Sequence, residues 1–454
     1  MKLSGLQLMR KRFLLLIQFA LLMTLAVSSD ALAQAVKPSQ VVRQVSEHRQ
    51  KLYETLWRDG DKPRSPSLEA PSTSQKNPVN WSDHEDEVRE NIIKFVTERA
   101  SGFKIEDWKG EELMALGELY QMAEQYAPAA EAFRAFLKSD SRSEANVKSW
   151  SIPNARARLI YALIETEQFD EAERWMEGSE WLVSENPPTM AARTGLYRSL
   201  AVALHDHGYH ERAASLADKG YKLANALVLS GNLNQPMLES TERNQVVMAA
   251  LAVACYERVG RKREASDLNE LAQNFDFSRR PEFGAVYESE LAAARLIGTQ
   301  SPELDVLRWI DGKNRAPKTL NDLRGNVVLL NFWAMWSDPF TNTAPRLREL
   351  QSKYQGRGLE IIGVTKLYGR SDTEEFRSRD QEFKGLQDYV IKHQLTYSIA
   401  IGKMDDVTND ERFGVVSIPT TILIDRRGVV RQINRGPGEY RKLQKQIEKL
   451  LGEK

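Results

Sequence analysis

The apolar residues of the chain follow two different periods, and the change between them falls near residue 300. From about residue 85 to residue 298, apolar side chains recur at helical spacing almost without interruption. After residue 300, short apolar runs rich in strand-forming residues appear at 327–332, 359–364 and 420–425. The pattern predicts an all-α region followed by an α/β domain.

Within the all-α region, a turn followed by an alanine recurs. The anchoring alanines follow one another at intervals of 43, 41 and 52 residues: Ala129, Ala172, Ala213 and Ala265. The clearest unit, 116–136, resembles the tetratricopeptide pattern, in which small residues let two antiparallel helices approach and aromatic side chains fill the space between them. The intervals exceed the usual period of about 34 residues, so a generic array of helical hairpins remains the alternative.

Two segments precede this region. The apolar residues Val41, Val45, Leu52 and Leu56 predict an amphipathic helix within residues 34–57, expected to fold back onto the next domain. Residues 58–84 carry four prolines among polar residues and are interpreted as a linker, and the helical repeats then occupy residues 85–298.

The N-terminus has the pattern of a secretory signal peptide. Four basic residues precede an apolar run from Phe13 to Val27, and Ala31 and Ala33 supply small residues for a peptidase. Cleavage is expected after Ala33, which makes residues 1–33 a removable segment and the protein an exported one of the bacterial periplasm or envelope. An uncleaved anchor is the alternative, but the run would span only about 22 Å as a helix.

The C-terminal third, residues 303–454, resembles the thioredoxin-like family, in particular the exported thiol–disulfide proteins of cytochrome maturation. Several separated segments match in the family's order, namely 323–336, 359–364, 418–421 and 424–428, with Pro345 between them. A helix over about 343–354, a hairpin around Gly428 and a last helix over 439–451 complete the expected mixed-sheet domain. The predicted fold class is thus a multidomain chain, an all-α tetratricopeptide-like repeat array followed by an α/β thioredoxin-like domain.

The resemblance implies a redox centre that this sequence lacks. In the family, a Cys-x-x-Cys motif stands at a helix N-terminus, where free amides and the helix dipole stabilise the attacking thiolate. Here the corresponding residues are Ser337-Asp338-Pro339-Phe340, so Ser337 replaces the nucleophile and Phe340 the resolving cysteine. The neighbouring peroxiredoxin pattern Thr-x-x-Cys-Pro fails as well, because Ala344 stands where its cysteine should be.

The resemblance also implies a peptide-binding groove. Ile418 and Pro419 match the cis-proline loop of the family, which leaves backbone groups free to pair with an extended peptide. We expect Trp333, Trp336, Ser337, Phe340, Ile418 and Pro419 to line this groove. The alternative for Trp333 and Pro419 is a purely structural role in the fold.

Composition narrows the remaining functions. The chain has 454 residues with 63 basic and 63 acidic side chains, a balance that argues against nucleic-acid binding. Its single cysteine, Cys255, excludes an internal disulfide and any two-cysteine centre, and its apolar neighbours favour a buried structural role. His205, His207 and His210 lack the usual spacing of helical metal ligands, so no metal site and no cofactor are predicted.

The leading hypothesis is an exported, redox-inactive interaction protein that binds extended polypeptide segments of other exported proteins and has no stable membrane insertion after cleavage. One alternative is a thioredoxin- or peroxiredoxin-type oxidoreductase in envelope thiol homeostasis. Another is an envelope assembly scaffold. The sequence favours the non-enzymatic hypothesis and leaves the oligomeric state open.

Overall fold

The computed structural model describes ten stretches of the chain: residues 36–56, 81–138, 151–177, 187–273, 280–311, 319–337, 339–371, 375–404, 407–436 and 440–453. Residues 1–33 and 57–80, and with them the predicted signal peptide and most of the predicted linker, lie outside these stretches. The chain divides into two compact units, one within residues 1–63 and 88–175, the other within 64–87 and 176–454.

The described helices that lie wholly or mostly in the first unit are α1 Pro38–Leu56, α2 Trp81–Ala100, α3 Glu111–Met122, α4 Tyr126–Lys138, α5 Ser151–Glu165 and α6 Phe169–Glu177. The predicted amphipathic helix is α1, which buries Val41 and Val45 and packs against α3. Ser39 fixes this packing, since its backbone N–H and its hydroxyl donate to the Glu112 carboxylate at 2.9 and 2.8 Å. The sequence placed residues 81–84 in the linker, but the structure includes them in the first turn of α2, which begins at Trp81.

Five further helices of the described chain lie in the second unit. They are α7 Pro187–Asp206, α8 His210–Ser230, α9 Gln235–Arg258, α10 Lys262–Gln273 and α11 Glu282–Leu296. None of the described helices combines the length and the hydrophobicity that a membrane crossing requires.

Among the described residues, four helical hairpins share one turn. In each, a residue with positive φ stands two positions before the second helix: Glu124, Glu167, Gly208 and Gly260. The four predicted anchoring alanines follow these turns and are all buried. Gly117 of α3 also packs as predicted, since a Cβ atom there would lie 2.5 Å from the Phe133 ring of α4. The small-residue and aromatic pattern therefore arises from close approach of paired helices.

The α/β domain contains one six-stranded sheet in the order β1-β4-β3-β2-β5-β6. The strands are β1 Val306–Ile310, β2 Val327–Phe332, β3 Leu359–Thr365, β4 Ser398–Gly402, β5 Thr420–Ile424 and β6 Val430–Arg435. β2, β3 and β4 are parallel, whereas β1, β5 and β6 pair antiparallel to their neighbours. The helices between the strands are α12 Pro339–Tyr354, α13 Arg379–Lys392 and α14 Asn409–Arg412, and α15 Tyr440–Gly452 follows β6.

Alternate residues of the strands form two apolar layers, one on each face of the sheet. On one face, α12, α13 and α15 cover a core that includes Trp333, Tyr354 and Tyr397. On the other, Phe332 and Phe413 pack with Leu296 and Ile297 from the end of α11. The last helix of the helical region therefore contributes side chains to the core of the thioredoxin-like sheet.

Candidate functional site

Three loops meet at one edge of the sheet because of the strand directions. Since β2 and β3 are parallel, the segments that leave them, 333–337 and 366–370, emerge at the same edge. The antiparallel β5 begins there, because Phe332 pairs with Thr420. Residues 416–419, which precede β5, complete what we call the cis-proline edge.

The Ile418–Pro419 peptide bond is cis, as the resemblance implied. Pro419 is buried, and its carbonyl accepts a hydrogen bond of 2.8 Å from the backbone N–H of Gly436. Val416 beside it has 55% of its surface exposed, whereas Ile418 is half-buried. The loop therefore combines a fixed proline with an apolar side chain in solvent.

The turn after β2 carries the degenerate motif. Ser337 is buried, and its backbone N–H donates to the Ala334 carbonyl at 3.0 Å. Helix α12 begins two residues later at Pro339, which puts Ser337 at the helix N-terminus that the family uses for its cysteine. Phe340 lies in the first turn of α12, and its side chain lies outside the described part of the structure.

Trp333 and Trp336 have different environments. Trp333 is completely buried in the sheet core, and a Cβ atom on Gly363 would lie 2.9 Å from its Nε1. This burial favours the structural role that the sequence left open for Trp333 over a place on the surface of a groove. Trp336 is half-buried, and no described residue accepts a hydrogen bond from its buried Nε1.

Trp336 is held by residues of the loop after β3, which the sequence did not indicate. The Tyr368 ring packs edge-on at 5.5 Å, and the Arg370 guanidinium lies 4.7 Å from the centroid of the Trp336 ring. Cation–π contacts of this kind contribute about 0.5–1 kcal/mol at exposed sites. The edge thus presents an aromatic pair next to a cation.

Two acidic residues hold the loop after β3 in place through hydrogen bonds and an ion pair. Glu382 of α13 is buried, and its carboxylate accepts the Gly369 backbone N–H at 2.9 and 3.0 Å. Burial raises the pKa of Glu382, opposed by these backbone hydrogen bonds. Asp410 of α14 pairs with Lys366 at 2.5 Å. The pKa of Tyr368 is raised, mainly by burial and to a lesser extent by the negative charge of Asp410. Tyr368 is therefore a neutral hydroxyl at physiological pH.

The cis-proline edge contains no thiol. The sequence holds no cysteine in this domain, and a serine hydroxyl ionises too weakly for a helix terminus, worth about 1 kcal/mol, to convert it into a thiolate equivalent. Cys255 lies in α9, fully buried, and burial raises the pKa of its thiol to about 12. A thiol in that state is a poor nucleophile.

The chain is similar to known thiol–disulfide proteins. The model of the AhpC/TSA family matches residues 297–433. The thiol-disulfide oxidoreductase ResA of Geobacillus thermodenitrificans is 31% identical over 154 residues, which cover 34% of this chain and 78% of that protein. The thioredoxin-like protein YneN of Bacillus subtilis is 28% identical over 151 residues, 33% of this chain and 78% of that one.

Among solved structures, a putative thiol:disulfide interchange protein DsbE from Chlorobium tepidum matches with 25% identity and a TM-score of 0.28, covering 34% of this chain and 98% of its own. The sequence similarity, the sheet order and the cis-proline loop coincide in one region. Through its C-terminal third, the chain belongs to the thioredoxin-like family of thiol-disulfide oxidoreductases.

Proposed function

We propose that this protein is a redox-inactive member of its family that binds extended polypeptide segments at the cis-proline edge. The observation that carries the proposal is the combination, at one sheet edge, of a cis Ile418–Pro419 bond with a serine in the nucleophile's place. The binding geometry of the family is therefore kept where the reacting thiols are absent.

The residues around the edge support polypeptide binding. Trp336 and Tyr368 offer aromatic surface, Val416 is an exposed apolar side chain, and Arg370 adds a cation. Aromatic and arginine side chains dominate the energetics of many protein interfaces. An extended segment can add its backbone hydrogen bonds at the strand start and its side chains to this surface.

The helical hairpins within each compact unit extend the proposal to peptide binding by the helical region. Their shared turns, buried alanines and the Gly117–Phe133 contact are features that tetratricopeptide-like repeats use to pair helices. Repeats of that kind bind peptides of partner proteins. The N-terminal sequence supports export, which makes other exported proteins the expected partners.

An oxidoreductase reaction like that named for the relatives is the second candidate, favoured by the family membership. It would require Cys255 to act from a buried position in α9, with its pKa raised to about 12 by burial. We therefore place it second.

Binding of a permanently unfolded reporter protein, reduced and carboxymethylated so that it has no thiols, tests the proposal. Fluorescence anisotropy should show saturable binding that Trp336→Ala weakens about tenfold or more, the loss of one aromatic hot spot. Ile391→Ala is the matched control, because Ile391 is an apolar residue 74% exposed near the end of α13, whereas Glu382, which contacts the loop after β3, lies near the start of that helix. Equal binding by both variants and the unmodified protein would contradict the proposed site.

A further inference from the structure

Three potential metal ligands converge in the second compact unit, although the sequence separates them by up to 50 residues. His205 lies in the last turn of α7, His210 begins α8, and Cys255 lies in α9. The Nδ1 atom of His205 is 3.3 Å from Sγ of Cys255 and 3.2 Å from Nδ1 of His210, and one donor atom from each residue lies within 4.8 Å of the others. His205 and Cys255 are buried, and His210 is half-buried.

Hydrogen bonds alone satisfy this cluster poorly. An imidazole nitrogen has one in-plane lone pair, yet both the Cys255 thiol and Nδ1 of His210 approach the same Nδ1 of His205. The backbone of Ala294 lies beside the His205 ring and favours an N–H there, but Nε2 has no well-aligned partner among the described residues. The three inward-facing donor atoms therefore share a space in which only one contact can be a good hydrogen bond.

The donor separations suit a small ion. Metal–nitrogen bonds of about 2.0–2.1 Å and metal–sulfur bonds of about 2.3 Å place donor atoms roughly 3.3–3.6 Å apart at near-tetrahedral angles. The observed nitrogen–nitrogen distance of 3.2 Å lies just below this range and the sulfur–nitrogen distance of 3.3 Å at its lower limit, so small side-chain rotations admit a metal. One thiolate and two imidazoles form a soft donor set, which excludes magnesium and calcium because those ions prefer oxygen.

Charge selects among the soft ions. The Arg258 guanidinium lies 3.4 Å from Nε2 of His210, so the site already faces one fixed cation. A divalent ion with one thiolate would leave a net positive charge beside it, whereas a monovalent ion gives a neutral complex, which is cheaper to bury. We propose that His205, His210 and Cys255 form a buried binding site for one copper(I) ion.

Binding is an exchange of a proton for the metal, without electron transfer. The Cys255 thiol loses its proton to solvent as the copper–sulfur bond forms, and each histidine coordinates through Nδ1 with its remaining proton on Nε2. Nε2 of His210 then no longer accepts from Arg258. Arg258 keeps its hydrogen bonds of 2.7 Å to the carbonyls of Ile297 and Arg295, at the end of α11.

Anaerobic titration of the purified protein with copper(I), in competition with the chromophoric chelator bathocuproine disulfonate, tests the site. We expect one copper ion per chain to be withheld from the chelator, with sulfur and nitrogen neighbours in its X-ray absorption spectrum. Cys255→Ala should abolish this retention, and His210→Gln, at a half-buried position, should do so with the least disturbance of the fold. His207→Gln is the matched control, since it removes an exposed histidine of the same segment that lies outside the cluster.

Loss of all copper from the unmodified protein to the chelator would overturn the proposal, as would equal retention by His210→Gln. Retention of zinc(II) but not copper(I) in a parallel titration would overturn the choice of a monovalent ion. Thermal unfolding of the metal-free variants checks that each is folded. If Cys255→Ala is not, His210→Gln decides the outcome.

Discussion

Phe332 and Thr420 lie directly opposite each other in the antiparallel pair of β2 and β5. This one register position brings the turn after Phe332 next to the proline that precedes Thr420. It explains how residues about 80 positions apart in the sequence form a single edge that carries Ser337, Trp336 and the cis Pro419 bond.

Substitution of two helical glycines by alanine should change the free energy of unfolding in opposite directions. A Cβ atom on Gly117 would lie 2.5 Å from the buried Phe133 ring, whereas one on Gly195 would meet only Asn244 Nδ2, at 3.8 Å. Gly117→Ala should lower the free energy of unfolding by about 1–3 kcal/mol through overpacking. Gly195→Ala should raise it by about 0.5–1 kcal/mol through helix propensity. Urea denaturation checks both, and stabilisation by Gly117→Ala would refute the close helix approach.

Asp206 makes stability depend on pH. Burial raises its pKa from 3.8 to about 7, opposed by the charges of Lys442 and Arg431 in the thioredoxin-like domain. An acid whose folded-state pKa is raised adds stability that is fully present below about pH 4 and is lost as pH rises through about 7. As pH rises from about 4 to about 7, the free energy of unfolding of Asp206→Asn should therefore increase relative to that of the unmodified protein, by an amount on the order of 1–3 kcal/mol.

Denaturant unfolding at pH 4.5 and pH 8 measures this difference. Asp267→Asn controls for the loss of an acidic charge, because its side chain is exposed on α10. A difference between Asp206→Asn and the unmodified protein that does not change with pH would refute the assignment.

Arg435 of β6 connects the sheet to α11. Its guanidinium pairs with Glu290 at 2.8 Å and donates to the Ser289 carbonyl at 2.7 Å. Arg435→Ala should lower the free energy of unfolding by about 1–3 kcal/mol, because it removes a charge-assisted hydrogen bond to a half-buried carboxylate. Glu290→Gln keeps a hydrogen-bond acceptor and should cost less. If calorimetry shows that Arg435→Ala and Glu290→Gln both leave the free energy of unfolding almost unchanged, this contact does not stabilise the unit.

Strands with strong apolar runs were predictable, and those defined by their neighbours were not. β2, β3 and β5 follow from runs of branched residues that are buried on both faces. β4 has the sequence Ser-Ile-Ala-Ile-Gly, with three residues of modest or low strand propensity, and it is a strand because β3 and β1 pair with it on either side. β1 was likewise missed, since it only becomes an edge strand by pairing with β4.

The two candidate sites differ in how far the sequence reveals them. Ser337 and the cis Pro419 were identified from local motifs. Tyr368 and Arg370, which are the partners of Trp336, come from a loop without a motif. His205 and Cys255 are adjacent only because α7 and α9 pack together. Residue spacing carries no information about such a contact, and only the co-occurrence of a lone cysteine with a histidine group in one helical region hinted at it.

Reduction of insulin disulfides tests the central claim, a preserved edge without its redox centre, most directly. The unmodified protein should show no activity above background, whereas the double variant Ser337→Cys with Phe340→Cys should gain it, because the helix N-terminus of α12 lowers the pKa of a thiol placed at residue 337. Ser337→Cys alone lacks the resolving thiol and should not turn over. Activity in the unmodified protein that Ser337→Ala abolishes would contradict the account.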